Sequence, residues 1–103
     1  MKIKKLTSPR GNEVPNQFEI NYNGALIYQS YKAIIAKIER GVTYLDEHYW
    51  NYSKTTSKYR NIFLGENTKD TLKKIKSGEY ILTDLSKSFQ APKEVSNFKF
   101  LNK

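Results

Sequence analysis

The stretch QFEINYNGALIYQSY, Gln17 to Tyr31, decides the fold. Phe18, Ile20 and Tyr22 alternate with Glu19 and Asn21, the period of a half-buried strand whose side chains point to opposite faces in turn. Asn23-Gly24 then breaks the alternation. Both central positions of a type I′ turn need positive φ, so this dipeptide between apolar runs is a strong hairpin signal. Leu26 to Tyr31 returns as the second strand. A two-residue turn fixes the register: Tyr22 faces Ala25, Ile20 faces Ile27 and Phe18 faces Gln29.

Upstream, residues 1–16 read as a basic N-terminal arm with turn chemistry at Ser8-Pro9-Arg10-Gly11-Asn12 and Val14-Pro15-Asn16. Met1 to Leu6 suits a short edge strand, its lysines opposing edge-to-edge association. Downstream, residues 30–41 fit two patterns. Tyr31, Ile34, Ile35 and Ile38 match a helical stripe capped by Ser30 and stopped by Gly41. The same β-branched run, followed by Arg40-Gly41 and Val42 to Leu45, also reads as a second hairpin. Periodicity does not choose between them.

The next segment, WNYSKTTSKYRNIFL from Trp50 to Leu64, begins as an aromatic loop and becomes an amphipathic basic helix. Ser53, Thr55 and Thr56 offer oxygens to first-turn N–H groups that lack an intrahelical partner. Tyr59, Ile62 and Phe63 share one face and Lys54 and Lys58 another, with Gly65 as the left-handed stop. A second helix spans about Lys69 to Ser77, capped by Asn67 or Thr68 and closed by Gly78. Leu72 and Ile75 form its apolar stripe. Lys69, Lys73 and Lys76 stack on its outer side, and Asp70 is placed to pair with Lys74. Glu79 to Leu85 is a fifth strand. The tail, residues 86–103, carries Val95, Phe98, Phe100 and Leu101, enough apolar surface to pack on the domain or to pair with another chain as a homo-oligomer. The expected fold is α+β: an antiparallel meander of four to five strands with two short helices packed on it. One domain spans 1–103, divided into the arm, a core over 17–85 and the tail.

A chain of 103 residues has room for one core. Without cysteine, disulfides and thiolate metal sites are excluded. The basic first residues are not followed by an apolar run of signal-peptide length, and no segment approaches the ~20 apolar residues of a membrane span. A cytoplasmic protein with no membrane partner is the expectation. The net charge of +8 and pI of 9.6 favour acidic partners. The charge is also segregated. Residues 53–78 hold Lys54, Lys58, Arg60, Lys69, Lys73, Lys74 and Lys76 against Glu66 and Asp70, whereas acids slightly outnumber bases over 17–52.

Catalytic chemistry finds no support. His48, the single histidine, stands with Asp46 and Glu47; two ligands on one strand face do not make a metal site, so the cluster reads as a solvated strand end. No phosphate-binding loop, nucleophile elbow or dinucleotide fingerprint is present. No enzyme activity, metal or cofactor is expected. Partner or phosphate contact is better supported: Ser53, Thr55 and Thr56 lie at a helix start, where N–H groups and the dipole favour anions, with Lys54, Lys58 and Arg60 close by. Lys69, Lys73 and Lys76 extend the cationic face. Tyr49, Trp50 and Tyr52 are candidate stacking platforms for bases. The competing reading is that the hydroxyls only cap and the aromatics fill the core.

The chain also carries a recurring pattern: Ser30-Tyr31, Ile35-Ala36, Leu45-Asp46, then Trp50-x-Tyr52-Ser53-x-Thr55-Thr56-x-Lys58-Tyr59-Arg60, Phe63-Leu64 and Lys76-Ser77-Gly78-Glu79-Tyr80. Over residues 17–85 this resembles an uncharacterised family of small phage and mobile-element proteins, with the first 16 residues and the tail particular to this chain. The resemblance implies strand over 30–40. It carries no activity, but a phage-type origin implies an accessory protein that inhibits a host nucleic-acid-handling effector, as anti-CRISPR proteins do, with a host protein or nucleoprotein complex as partner. Direct binding of DNA or RNA through the same basic face is the alternative. A structural protein pairing through its tail is the third reading.

Overall fold

Asn23 and Gly24, at φ of 51° and 80°, close one hairpin, and Arg40 and Gly41, at 54° and 77°, close another. Positive φ at both central residues gives these turns the twist of the strands they join. Around them the computed structural model, which describes residues 1–88, builds β1 (Lys2–Thr7), β2 (Glu13–Tyr22), β3 (Ala25–Ser30), β4 (Ala33–Glu39), β5 (Val42–Asp46), α1 (Lys54–Leu64), α2 (Thr68–Ser77), β6 (Tyr80–Thr83) and α3 (Leu85–Ser88). The class is α+β. The six strands pair in chain order.

The β2–β3 register places Tyr22 opposite Ala25, Ile20 opposite Ile27 and Phe18 opposite Gln29, as the turn type requires. Residues 33–39 are strand, so the helical alternative is set aside. Residues 1–16 supply β1 and the start of β2, which adds a sixth strand to the four or five expected. The last pairing departs from a meander. β6 runs parallel to β5, with Leu82 opposite Leu45, and a parallel neighbour demands a crossover, here made by α1 and α2.

Alternation sorts the sheet into two apolar faces. Phe18, Ile20, Ala25, Ile27 and Ile34 form one buried cluster, joined by Leu85 of α3. Tyr28, Ile35, Ala36 and Leu45 form the other, with Tyr59 of α1 and Tyr80; Phe63, Leu64 and Ile75 pack against it. A shift of register puts Tyr28 opposite Ala36 but Gln29 opposite Ile34. Ile35 is therefore the extra residue of a bulge, which is how two successive residues, Ile35 and Ala36, both reach the helix-side core.

Two apolar positions differ from the expectation. Ile62 and Leu72 are exposed, because α1 turns its buried arc toward Thr56, Tyr59, Arg60 and Phe63, and α2 turns Thr71 and Ile75 inward. Most of the tail that was expected to pack or pair, from residue 89 on, lies outside the described residues.

Candidate nucleic-acid interface

Asp46 organises the loop that leads into α1. It is buried at the end of β5, where Oδ2 accepts from the backbone N–H of His48 at 3.1 Å and of Tyr49 at 3.0 Å, and Oδ1 accepts from Leu85 N–H at 2.9 Å. A carboxylate holding three backbone donors is a structural anchor, not the solvated strand end expected for this cluster. His48 stays exposed beside Glu47, with 3.8 Å between Nε2 and the carboxylate. Among the described residues no group of three His, Asp or Glu side chains is arranged to hold a metal.

Arg60 secures the loop from the other side, and this corrects its assignment as a contact residue. Its side chain is fully buried. Nη1 donates to the carbonyl of Trp50 and to Asn51 Oδ1, and Nη2 donates to Asn61 Oδ1 at 2.9 Å and to Thr68 Oγ1 at 2.8 Å. The guanidinium lies 5.0 Å from the Trp50 ring centroid. One planar cation thus ties the loop, α1 and the start of α2 together, which the fork geometry of arginine permits and a lysine ammonium does not. Burial lowers its pKa, a tendency the Glu66 charge opposes. Trp50 is accordingly a packing residue against the helix-side core, not an open platform.

Thr56 also turns inward. It is buried, its N–H donates to Ser53 Oγ at 3.1 Å, and its carbonyl lies 3.2 Å from the Tyr28 hydroxyl. That hydroxyl donates more closely to Gln17 Oε1, at 2.6 Å. Burial raises the Tyr28 pKa, so it remains a neutral donor. Ser53 is the N-cap, and Gly65 at φ 70° ends α1 with its N–H on the Asn61 carbonyl. Of the three hydroxyls read as an anion site, Ser53 is engaged in capping and Thr56 is enclosed; Thr55 alone is an open hydroxyl on the exposed side.

The second helix is tied down by Glu66. This carboxylate accepts from Lys74 Nζ at 2.8 Å, Tyr80 Oη at 2.7 Å and the Thr71 hydroxyl. Burial pushes its pKa up, but these three hydrogen bonds more than offset that, and the net shift is downward. Lys74 therefore pairs with Glu66 rather than with Asp70, and the same contact raises its own pKa.

The remaining lysines face solvent. Lys54 and Lys58 share the outer side of α1, and Lys69, Lys73 and Lys76 that of α2. None of the five makes an ion pair among the described residues, whereas the inward Lys74 does. Beside Lys54, Tyr49 and Tyr52 project from the loop with rings edge to face and centroids 5.2 Å apart. Tyr52 is 71% exposed and Tyr49 40%.

The chain belongs to DUF8033, a family of unknown function. The DUF8033 match spans residues 1–79, so the first 16 residues are family sequence, and β1 through α2, including the loop and both basic helices, lie inside it. Neither the curated proteins nor the solved structures contain a match to the chain.

Sequence reasoning passed over Glu66, Asp46 as an anchor and Tyr31. Glu66 carried a signal: it is the one acid in the three-residue link between two lysine-bearing helices. Tyr31 carried another, as a bulky residue in a two-residue turn where glycine or asparagine is usual.

Proposed function

We propose that this protein is a non-enzymatic, phage-type accessory protein that binds nucleic acid directly, through the outer side of α1 and the Tyr49–Tyr52 loop. The observation that carries this reading is the placement of lysines without acidic partners beside two exposed tyrosine rings. Cations neutralise phosphates and release counterions, and aromatic faces hold unpaired bases by stacking. Lys54, Thr55 and Lys58 are the phosphate contacts on α1, and Lys69, Lys73 and Lys76 lengthen the cationic surface along α2. Among the described residues no helix is long and apolar enough to cross a membrane.

Titration of a labelled oligonucleotide at several salt concentrations tests this. If four phosphates are neutralised, log K for a single strand falls with log salt at a slope of roughly −2.8. A flat response, or no binding at low salt, removes the reading.

A second reading has its own observation. Ile62 and Leu72 are exposed among the lysines of α1 and α2, and an apolar residue set within cations suits the face of an acidic protein. On this reading the helices dock on a host nucleic-acid-handling effector and inhibit it. Capture of a protein that survives nuclease treatment, and that is lost when Ile62 becomes glutamate, supports it over direct binding.

A further inference from the structure

Tyr31 is held at φ 54° at the tip of the β3–β4 turn, a left-handed conformation that bulky residues rarely adopt. Its backbone is fixed from both sides: its N–H donates to the Asn16 carbonyl at 2.7 Å, and Gln29 Nε2 donates to its carbonyl at 2.8 Å. Those bonds use main-chain atoms, so any residue able to occupy the left-handed region would satisfy them. Neither of these bonds involves the ring. It is 58% exposed, and its hydroxyl has no hydrogen-bond partner among the described residues. The other two-residue turns place Asn23-Gly24 and Arg40-Gly41 at such positions. Strain retained to hold an exposed aromatic outward points to contact rather than to folding.

The topology shows where that ring stands. β3 and β5 run in the same direction, each antiparallel to β4, so Ser30 and Asp46 end their strands at the same end of the sheet. The β3–β4 turn and the loop carrying Tyr49 and Tyr52 therefore rise from one end, as does the start of α1, whose Thr56 carbonyl meets Tyr28. Tyr31, Tyr49 and Tyr52 are the exposed tyrosines among the described residues, and all three lie there. Lys32 and Lys54, both exposed, flank them.

We propose that Tyr31 is a base-stacking contact which, with Tyr49 and Tyr52, makes this end of the sheet a surface for single-stranded rather than duplex nucleic acid. The inference rests on the direct-binding reading and specifies its ligand. A single strand leaves base faces open to aromatic rings, whereas a duplex keeps them stacked on one another.

The test measures anisotropy of a labelled single strand of about 20 nucleotides, longer than one stacking site requires, and of the matching duplex. Wild-type protein should prefer the single strand. Tyr31→Asn, which suits the left-handed backbone, should melt no lower than wild type yet lose roughly 5- to 150-fold in single-strand affinity. Tyr31→Phe should keep it. Equal affinity for strand and duplex, or Tyr31→Asn binding within twofold of wild type, overturns the proposal. If that result comes while Lys54→Glu with Lys58→Glu still abolishes binding, only the stacking role fails. If wild-type protein binds no oligonucleotide, or retains only a nuclease-resistant protein, the direct-binding reading fails with it.

Discussion

Replacing Arg60 with alanine should unfold much of the helical layer rather than weaken a binding surface. The guanidinium gives hydrogen bonds to the Trp50 carbonyl and to the side chains of Asn51, Asn61 and Thr68, and hydrogen bonds from a charged donor are worth roughly 1.5–3 kcal/mol each. They do not add. Removing the cation also relieves its own desolvation, and Nε has no partner among the described residues, so part of the loss is returned. Each partly buried acceptor left without its donor costs roughly 1–3 kcal/mol, so two or more of them together cost roughly 3–6 kcal/mol. With that relief subtracted, the loss should lie at the low end, about 3 kcal/mol, out of a total stability of roughly 5–15 kcal/mol. For a domain of about this size, such a loss lowers the melting temperature by roughly 12–24 °C.

Thermal melts by circular dichroism, with Trp50 emission followed in parallel, measure this directly. Trp50 is the single tryptophan and lies against Arg60, so its signal reports on the site itself. Arg60→Lys keeps the charge but cannot span the loop and Thr68 together, and should fall between wild type and alanine. A melt of Arg60→Ala within 2 °C of wild type, far inside the roughly 12 °C minimum expected, combined with lost oligonucleotide binding, would refute the argument and return Arg60 to the contact surface.

Two further outcomes follow from the same geometry. Lys54→Glu with Lys58→Glu should abolish oligonucleotide binding in the anisotropy assay while shifting stability by less than about 1 kcal/mol, since both side chains are exposed and form no ion pair among the described residues; wild-type-like binding would exclude α1 from the interface. Glu66 gives a pH signature. Its pKa is lower in the folded state than its ordinary 4.5, so its contribution to stability is complete above that value and is lost as pH falls toward the folded pKa. Glu66→Gln should therefore be less stable than wild type at neutral pH, and urea midpoints of the two should converge in acid. Parallel curves down to pH 3, below the ordinary range of a glutamate, would show that the carboxylate's charge is not what holds α2.

Local chemistry made much of the sheet legible. A two-residue turn sets a hairpin register by itself, so Asn23-Gly24 sufficed to pair Ile20 with Ile27. The parallel pairing of β6 was not legible, because it depends on where two intervening helices return the chain, and no residue within Tyr80–Thr83 encodes a partner. Arg60 was misplaced for a related reason. Spacing puts it near Lys54 and Lys58 in sequence, but its angular position follows Thr56 and Phe63 into the sheet. Only the polar groups waiting there, from a loop ten residues earlier and a helix eight residues later, make its burial tolerable. Ile62 shows the converse: an apolar residue one step off the buried arc is left in solvent.

The Trp50–Arg60 block is therefore two devices in one stretch. Trp50, Ser53, Thr56, Tyr59 and Arg60 fix a loop on a helix, and their side chains are occupied by capping, packing and hydrogen bonds within the protein. Lys54, Thr55 and Lys58, with Tyr52 before them, point outward and are committed to nothing among the described residues beyond the Lys58 contact with its neighbour Tyr59 and the edge-to-face contact of Tyr52 with Tyr49. The spacing that makes the block recognisable thus expresses a scaffold, and the proposed contacts ride on the positions between. An aromatic surface can be made selective only if its rings are held still, because ordering them at the moment of binding consumes affinity. Asp46 from beneath and Arg60 from the side restrain the backbone that carries Tyr49 and Tyr52, as Asn16 and Gln29 restrain that of Tyr31. On the stacking proposal, polar groups that touch no ligand themselves hold in place the backbone of three exposed tyrosines at one end of the sheet.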